Sequence, residues 1–211
     1  IILCYFIFTC TACHRQVPKW KEQVLSTLTE EQKYFCEVAL SSEFGKKYHK
    51  IRKWNKDIHI FVTGAPSPYL EKELREVLGE LNAMIPDIQL VLVKKPEQAN
   101  IKLLFGAAED YVAIENHART KVKDNWGLVY VFPNWKGEIK HGTLYIDVFR
   151  AKDEVAQRHL LREELTQSLG LLNDSWAHRE SIFYQGWTTT THYSDLDKKV
   201  IKMLYDKRIK P

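Results

Sequence analysis

The chain has 211 residues, of which 45% are hydrophobic and 27% are charged. This composition excludes a largely disordered protein, and the length suits one well-buried domain. The formal net charge is only +4, and the basic residues are interleaved with acidic ones. Because no run of basic residues alternates with aromatic ones, we expect no nucleic-acid partner.

The chain begins with an apolar run, IILCYFIFTCTAC. A helix needs about 20 residues to span a bilayer, so this run is too short, but it is typical of the apolar part of a secretory signal. The small residues Thr11 and Ala12 precede Cys13, as in a bacterial lipoprotein signal. We therefore predict an N-terminally incomplete signal over residues 1–13 and lipidation at Cys13. The alternatives are a non-lipidated signal and a buried N-terminal strand.

The predicted lipid would make the protein a membrane-anchored lipoprotein of the bacterial cell envelope, facing the periplasm or the surface. Residues 14–27 are predicted to form a polar tether, and residues 28–211 a single domain. Cys36 would then be the one cysteine of that domain, which excludes an intramolecular disulfide. Its apolar neighbours predict a small buried side chain rather than a nucleophile.

Helices and strands are predicted from capping residues and from the spacing of apolar residues. Thr29 and Gln32 form a capping-box pattern at the start of a first helix, which is expected to end at Gly45. Ser67 and Pro68 begin a second helix with an apolar stripe. Alternating or continuous apolar residues predict five strands, which are IHIFVTG, IQLVLVK, IKLLFG, GLVYVF and TLYIDVF.

Two further helices complete the predicted domain. The first runs from about Asp153 to Leu169 and is ended by Gly170, and the second follows Ser194. This order predicts an α+β (α/β-like) single domain with one mixed, mostly parallel sheet. An aromatic-rich stretch, FYQGWTTTTHY, separates the two helices. It could line a cleft, but packing at turns and sheet edges is the use that we expect.

The long helix carries the residues of chemical interest, in the stretch REELTQSLGLLND. Glu163 and Gln167 are four residues apart and share a face, with His159 one turn earlier. A two-residue offset rotates by about 200°, so the leucines of this helix lie on nearly the opposite face. They are Leu161, Leu165 and Leu169.

The spacing of this stretch matches the zinc-peptidase motif H-E-x-x-H-x-x-G-x-x-H, in which a glycine turn brings a third ligand to two helical ones. The glycine of the motif corresponds to Gly170. Glu164 then takes the position of the general base. The candidate metal ligands are Glu163, Gln167 and Asn173, with Asp174 as the alternative to Asn173.

The order of strands and helices, together with this spacing, resembles the metzincin core, which ends on its active-site helix. The tail "SIFY…LYD" is similar to the turn and final helix of matrixins, with Phe183 in place of the turn methionine. The resemblance implies a single zincin-like domain with an active-site-type helix and a C-terminal helix.

More specifically, "REELTQSLGLLNDS…SIFY…LYD" resembles the bacterial domain-of-unknown-function family 2927, whose members are often called lipoproteins. This second resemblance implies no established activity. It implies that a set of residues belongs to a family pattern, namely Glu163, Glu164, Gln167 and Asp174.

The donor chemistry departs from that of a zinc peptidase. Zinc prefers imidazole or thiolate, whereas one carboxylate and two amide oxygens suit a harder divalent cation such as calcium or magnesium. Without zinc, no metal-bound water of lowered pKa would serve Glu164. A histidine could complete the set in two ways, either as His159 from the helix or as His178 or His192 from the following loop.

Three functions are therefore compared. The leading hypothesis is a non-catalytic or divergent binding module for a protein or peptide ligand. The rival is a divergent metal-dependent peptidase that uses Glu164 as general base. The third is a structural envelope protein in which Glu163 and Gln167 only hydrogen-bond on a solvated helix face.

Overall fold

The computed structural model describes residues 26–40 and 50–211. The predicted signal, Cys13 and the greater part of the predicted tether lie outside the described residues. The first helix ends at Ala39, with Leu40 as its C-cap, so the end predicted at Gly45 is wrong. In the described part of the chain, no helix is long and apolar enough to cross a membrane.

The described residues form five α-helices and five strands, with two short 3-10 helices at Pro96–Gln98 and Asn116–Thr120. In chain order the main elements are α1 (Glu30–Ala39), β1 (Ile58–Gly64), α2 (Pro68–Met84), β2 (Leu90–Val93), β3 (Ile101–Gly106), α3 (Ala108–Ile114), β4 (Gly127–Pro133), β5 (Ile139–Asp147), α4 (Glu154–Gln167) and α5 (Asp195–Leu204).

The five strands form one mixed sheet in the order β2-β1-β3-β5-β4. Strand β1 pairs in parallel with β2 and β3, and β3 pairs in parallel with β5. Strand β4 pairs antiparallel with β5, because a hairpin joins the two. The predicted mixed, mostly parallel sheet is therefore confirmed, and the active-site-type helix α4 follows the last strand as the metzincin resemblance implied.

The predicted apolar faces of the helices form the core. In α2 the buried stripe consists of Leu70, Leu74, Val77, Leu78 and Leu81. In α4 the predicted leucine face is fully buried at Leu161 and Leu165. Cys36 is buried, as expected, and Phe183 is fully buried in the same core cluster.

Capping residues set the starts of the first and last helices. Thr29 and Gln32 form the predicted capping box, with the Thr29 hydroxyl accepting from the Gln32 N–H. Ser194 caps α5 and forms a second box with Asp197. The carboxylate of Asp197 also accepts from the Ser181 hydroxyl, which in turn accepts from the Tyr34 hydroxyl at 2.7 Å. This buried chain joins α1, the SIFY turn and α5.

Helix α4 is also fixed against α2 by buried charges. Glu73 on α2 is 1% exposed and accepts from Arg158 Nε at 2.6 Å and from Arg162 Nη2 at 2.8 Å. The Arg162 guanidinium also binds Glu80 and lies 4.7 Å from the Tyr193 ring centroid. Because a buried charge is costly without a partner, these contacts restrict how α4 can rotate.

The turn after α4 requires a glycine. Gly170 has φ of +119°, and a Cβ there would lie 1.9 Å from the Arg52 carbonyl oxygen. A side chain would therefore add both backbone strain and a clash with the backbone. The sharp turn predicted at Gly170 is present, and it directs the chain back towards α4.

We predict that Gly170→Ala lowers the free energy of unfolding by about 3 kcal/mol, because strain and overpacking add. Gly79→Ala is the matched control, since a Cβ at this helical position meets nothing within 4 Å. The control should raise the free energy of unfolding by about 0.5 kcal/mol, from the better helix propensity of alanine. Urea denaturation of the purified proteins measures both values. Equal stability of the two variants would contradict the assigned backbone conformation.

Candidate functional site in a cleft beside helix α4

A cleft of about 570 Å³ runs beside the polar side of α4. Its volume lies within the range that is usual for ligand sites. The walls come from α4, from the loop before β4 and from the loop that follows the Gly170 turn. The lining residues are Asp124, Asn125, Trp126, Gly127, Asp153, His159, Leu160, Glu163, Glu164, Gln167, Asp174, Tyr184, Gln185, Gly186 and Trp187.

Four of the five residues proposed for the site line this cleft, namely Glu163, Glu164, Gln167 and Asp174. Gln167 Nε2 donates to Asp174 Oδ1 at 2.6 Å. Asn173 is not part of the lining that the described residues form. Its backbone N–H donates to the Val38 carbonyl at 3.2 Å, and its side chain donates to the Asp174 carbonyl. The Gly170 turn thus brings Asp174, and not Asn173, beside Gln167.

Glu164 is held in the cleft wall next to the start of β4. It is 7% exposed, and a Cβ added at Gly127 would lie 2.5 Å from its Oε1 atom. The absence of a side chain at Gly127 therefore makes room for the carboxylate. The residue predicted as general base lies in a defined position, close to the backbone of the first β4 residue.

His159 is buried between α4 and the loop that precedes α5. It is 3% exposed, and its Nδ1 donates to the Thr190 carbonyl at 2.7 Å. Burial lowers the pKa of His159, while the bond to Thr190 acts in the opposite direction. A carbonyl only accepts, so Nδ1 carries the hydrogen and Nε2 is the acceptor of the neutral ring. Nε2 lies 3.4 Å from Glu163 Oε2.

The two loop histidines lie elsewhere. His178 contacts the edge of the Tyr34 ring and lies 3.6 Å from Glu180, and His192 is exposed. Neither is among the residues that line the cleft in the described part of the chain. Of the histidines considered from the sequence, His159 is therefore the one that the fold places beside Glu163.

The residues of the cleft do not fit a catalytic zinc ion. Among the described residues, no three or more His, Cys, Asp or Glu side chains form a group that could hold a metal ion. Gln167 and Asp174 are joined by a hydrogen bond in which the amide nitrogen of Gln167, and not its oxygen, faces the carboxylate. Carboxylate and amide donors are also harder ligands than zinc prefers.

The polar face of α4 is enclosed rather than solvated. The Glu163 side chain is 13% exposed, and Glu164 and Gln167 are 7% and 5% exposed. The solvated helix face that the third hypothesis assumed is therefore wrong. Two residues of the segment after the Gly170 turn bond to this face, Asp174 to Gln167 and Thr190 to His159.

Aromatic side chains form a second wall of the cleft. Trp126 and Trp187 are 39% and 56% exposed, with ring centroids 5.7 Å apart in an edge-to-face arrangement. Trp187 makes the same kind of contact with His159. We expected FYQGWTTTTHY to pack at turns and edges, but its residues 184–187 line the cleft. The sequence feature that could have indicated this wall is Trp187 beside Gly186, soon after the helix that carries the motif.

Arg150 holds the loop that supplies Trp126 through several hydrogen bonds. The guanidinium donates to the carbonyls of Val122, Lys123 and Asn125 at 2.7 to 2.9 Å. It also pairs with the buried carboxylate of Asp147, at the end of β5. The aromatic wall is thus set on the sheet rather than on a free loop.

The pKa of the Asp174 carboxyl is raised. Burial raises its pKa to about 7 from an ordinary value of 3.8, although the bond from Gln167 lowers it. A raised pKa in the folded chain contributes stability at low pH, and this contribution is lost as the pH rises through about 7.

We predict that Asp174→Asn gains stability relative to the unsubstituted protein, by about 2 kcal/mol, between about pH 5 and pH 8. The amide stays neutral, whereas the carboxyl must ionise in a buried position. Urea denaturation with a metal chelator present measures the difference. Asp195→Asn is the control, because the Asp195 side chain is 93% exposed. A stability difference for Asp174→Asn that is independent of pH would contradict the buried, raised pKa.

Comparison with known proteins assigns the chain to a family. No curated protein matches the sequence. Two solved structures of myroilysin are 12% and 11% identical over 74% of this chain and over 83% and 86% of theirs, with TM-scores of 0.45 and 0.47. The family model described as "Protein of unknown function (DUF2927)" matches residues 29–211, so the chain belongs to the DUF2927 family.

Proposed function

We propose that the protein is a lipid-anchored cell-envelope protein whose cleft binds a protein or peptide ligand without zinc-dependent catalysis. The observation that carries this proposal is the composition of the cleft. Glu163 and Gln167 stand at the two helical positions where the zinc-peptidase motif has histidines, and both line an opening that could admit a ligand.

The cleft has the features of a binding site. A ligand site commonly combines apolar or aromatic surface with a few polar groups that fix orientation. Trp126 and Trp187 supply exposed aromatic surface, and the α4 side chains supply the polar groups. Arg150 holds the loop that carries Trp126, and the bonds of Arg162 to α2 hold α4. Walls that are attached in this way lower the cost of ordering on binding.

The membrane anchor is the second part of the proposal and rests on the sequence alone. The apolar run that ends in Thr11, Ala12 and Cys13 supports lipidation at Cys13. The following residues, 14–27, would separate the lipid from the domain.

The rival function is a divergent metal-dependent peptidase with Glu164 as general base. One observation favours it, which is that Glu164 lies fixed in the cleft wall against Gly127. It requires a metal ion that depends on Glu163 and a hydrolytic activity that depends on Glu164.

We predict that an array of short immobilised peptides retains the purified protein and that Trp187→Ala abolishes this retention. Trp187 offers 56% of its surface to a ligand in the cleft. Trp135→Ala is the matched control, because Trp135 is 80% exposed in the β4–β5 turn and is not one of the cleft residues. Equal retention of both variants would refute binding in the cleft. A stoichiometric metal lost in Glu163→Ala, together with peptide hydrolysis lost in Glu164→Gln, would establish the rival function instead.

The anchor is tested separately in a bacterial host, with the chain preceded by an initiating methionine and a basic segment. We predict that labelled palmitate enters the protein and that Cys13→Ser removes the label, since the lipid is attached to that thiol. Cys10→Ser should keep the label, because Cys10 lies inside the apolar run. Labelling that persists in Cys13→Ser would show that the assigned cysteine is wrong.

A further inference from the structure

The turn between β4 and β5 holds a tryptophan out in solvent. Trp135 is 80% exposed, more than any other large apolar side chain among the described residues. The backbone around it is fixed, because Asn134 Oδ1 accepts from the N–H groups of Lys136 and Glu138, each at 3.0 Å. The exposure of the indole therefore belongs to a hydrogen-bonded turn and is not the result of a loose loop.

Lysines surround this indole. Lys136 Nζ lies 5.3 Å from the centroid of the Trp135 ring, and Lys50 Nζ donates to the Trp135 carbonyl at 3.2 Å. Both lysines are exposed. The acidic residue of the turn, Glu138, bonds to Lys140 at 2.8 Å. Because a single exposed apolar side chain is common on soluble proteins, these charges decide which partner the indole suits.

The segment after α5 lies beside the same turn and adds a further lysine. Lys53 joins the two, since its backbone N–H donates to the Gly137 carbonyl at 3.2 Å and its ammonium donates to the Ile209 carbonyl at 2.6 Å. Burial lowers the pKa of Lys53, and the nearby charge of Lys210 lowers it further. Lys210 is itself exposed. The Trp135 patch is defined here as the indole with its three exposed lysines, Lys50, Lys136 and Lys210.

Strand β4 separates the Trp135 patch from the cleft. The strand begins at Gly127, which lines the cleft, and ends at Pro133, two residues before Trp135. With a rise of about 3.3 Å per residue, the two ends of the strand lie about 20 Å apart. A partner that contacts the Trp135 patch would therefore leave the cleft open to its ligand.

We propose that the Trp135 patch docks the folded domain onto a bilayer that contains anionic lipids. The indole would enter the headgroup region, where its apolar ring and polar N–H are both accommodated. The three lysines would lie against the phosphate groups, which attract basic side chains close to the surface. This inference rests on the proposed membrane anchor, because the anchor would keep the domain beside a bilayer.

Other partners suit the Trp135 patch less well. A second copy of the chain would bring like charges together. An acidic protein would pair with the lysines, but a stable protein interface also needs an apolar centre within about 800 Å² per partner. The patch offers one large apolar side chain, which is enough for shallow entry into a headgroup region.

The test uses the purified full chain with Cys13→Ser, so that no lipid is attached, and sedimentation with vesicles. The vesicles contain phosphatidylcholine alone or with about 30% phosphatidylglycerol, which supplies the anionic surface. We expect the anionic vesicles to bind about tenfold more tightly at about 50 mM salt, and this preference to be lost at about 500 mM, because salt screens the attraction. The N-terminal apolar run is the same in every variant, so differences between variants report the Trp135 patch.

Two variants and their matched controls localise the effect. Trp135→Ala should weaken binding to the anionic vesicles about tenfold, and Lys136→Gln about fivefold. Trp176→Ala and Lys72→Gln are the controls and should bind like the parent chain. Trp176 is 69% exposed beside Tyr184, and the Lys72 side chain is 75% exposed on α2. Circular dichroism and the melting temperature establish that each variant is folded.

The outcomes separate docking from anchoring. Equal binding to the two kinds of vesicle, or equal effects of Trp135→Ala and Trp176→Ala, would overturn docking even where palmitate labelling supports the anchor. Preferential binding to anionic vesicles that Trp135→Ala weakens would support docking even where no label enters the protein. Retention on immobilised polyglutamate without any binding to vesicles would also overturn docking, and would assign the Trp135 patch to an acidic protein instead.

Discussion

The polar face of α4 is buried, and an unpaired buried polar group costs about 1–3 kcal/mol, so partners inside the protein stabilise this face. The partners lie on three different segments, so the pairs fix those segments around the helix. They are Arg162 with Glu73, His159 with Thr190, and Gln167 with Asp174. The cleft lies between these three attachments, so its shape depends on how the buried polar side chains of α4 are paired.

Features that depend on local sequence were predictable. The capping box at Thr29, the glycine turn at Gly170 after α4 and the leucine face of α4 each follow from a few neighbouring residues. The mixed sheet also followed, because strand order and a short β4–β5 connection constrain how strands pair. The spacing of Glu163, Gln167 and Gly170 located the helix that lines the cleft, since helical geometry fixes which residues share a face.

Features that depend on distant segments were not predictable. Asp174 and not Asn173 lines the cleft, and the neighbouring backbone is held by α1, since the Asn173 N–H donates to the Val38 carbonyl. The role of Trp187 depends on how the loop after the Gly170 turn folds back over the helix. Periodicity cannot distinguish a polar face in water from one under a loop, so the enclosure of Glu163 was visible only in three dimensions.

The exposed aromatic wall argues against a purely structural role for this part of the molecule. Side chains retained only for packing are covered, as Leu161 and Leu165 are on the opposite face of α4. Trp126 and Trp187 instead keep 39% and 56% of their surface exposed where they line the cleft. A cleft that combines exposed indoles with polar side chains of α4 is therefore better suited to bind a ligand than to complete a core.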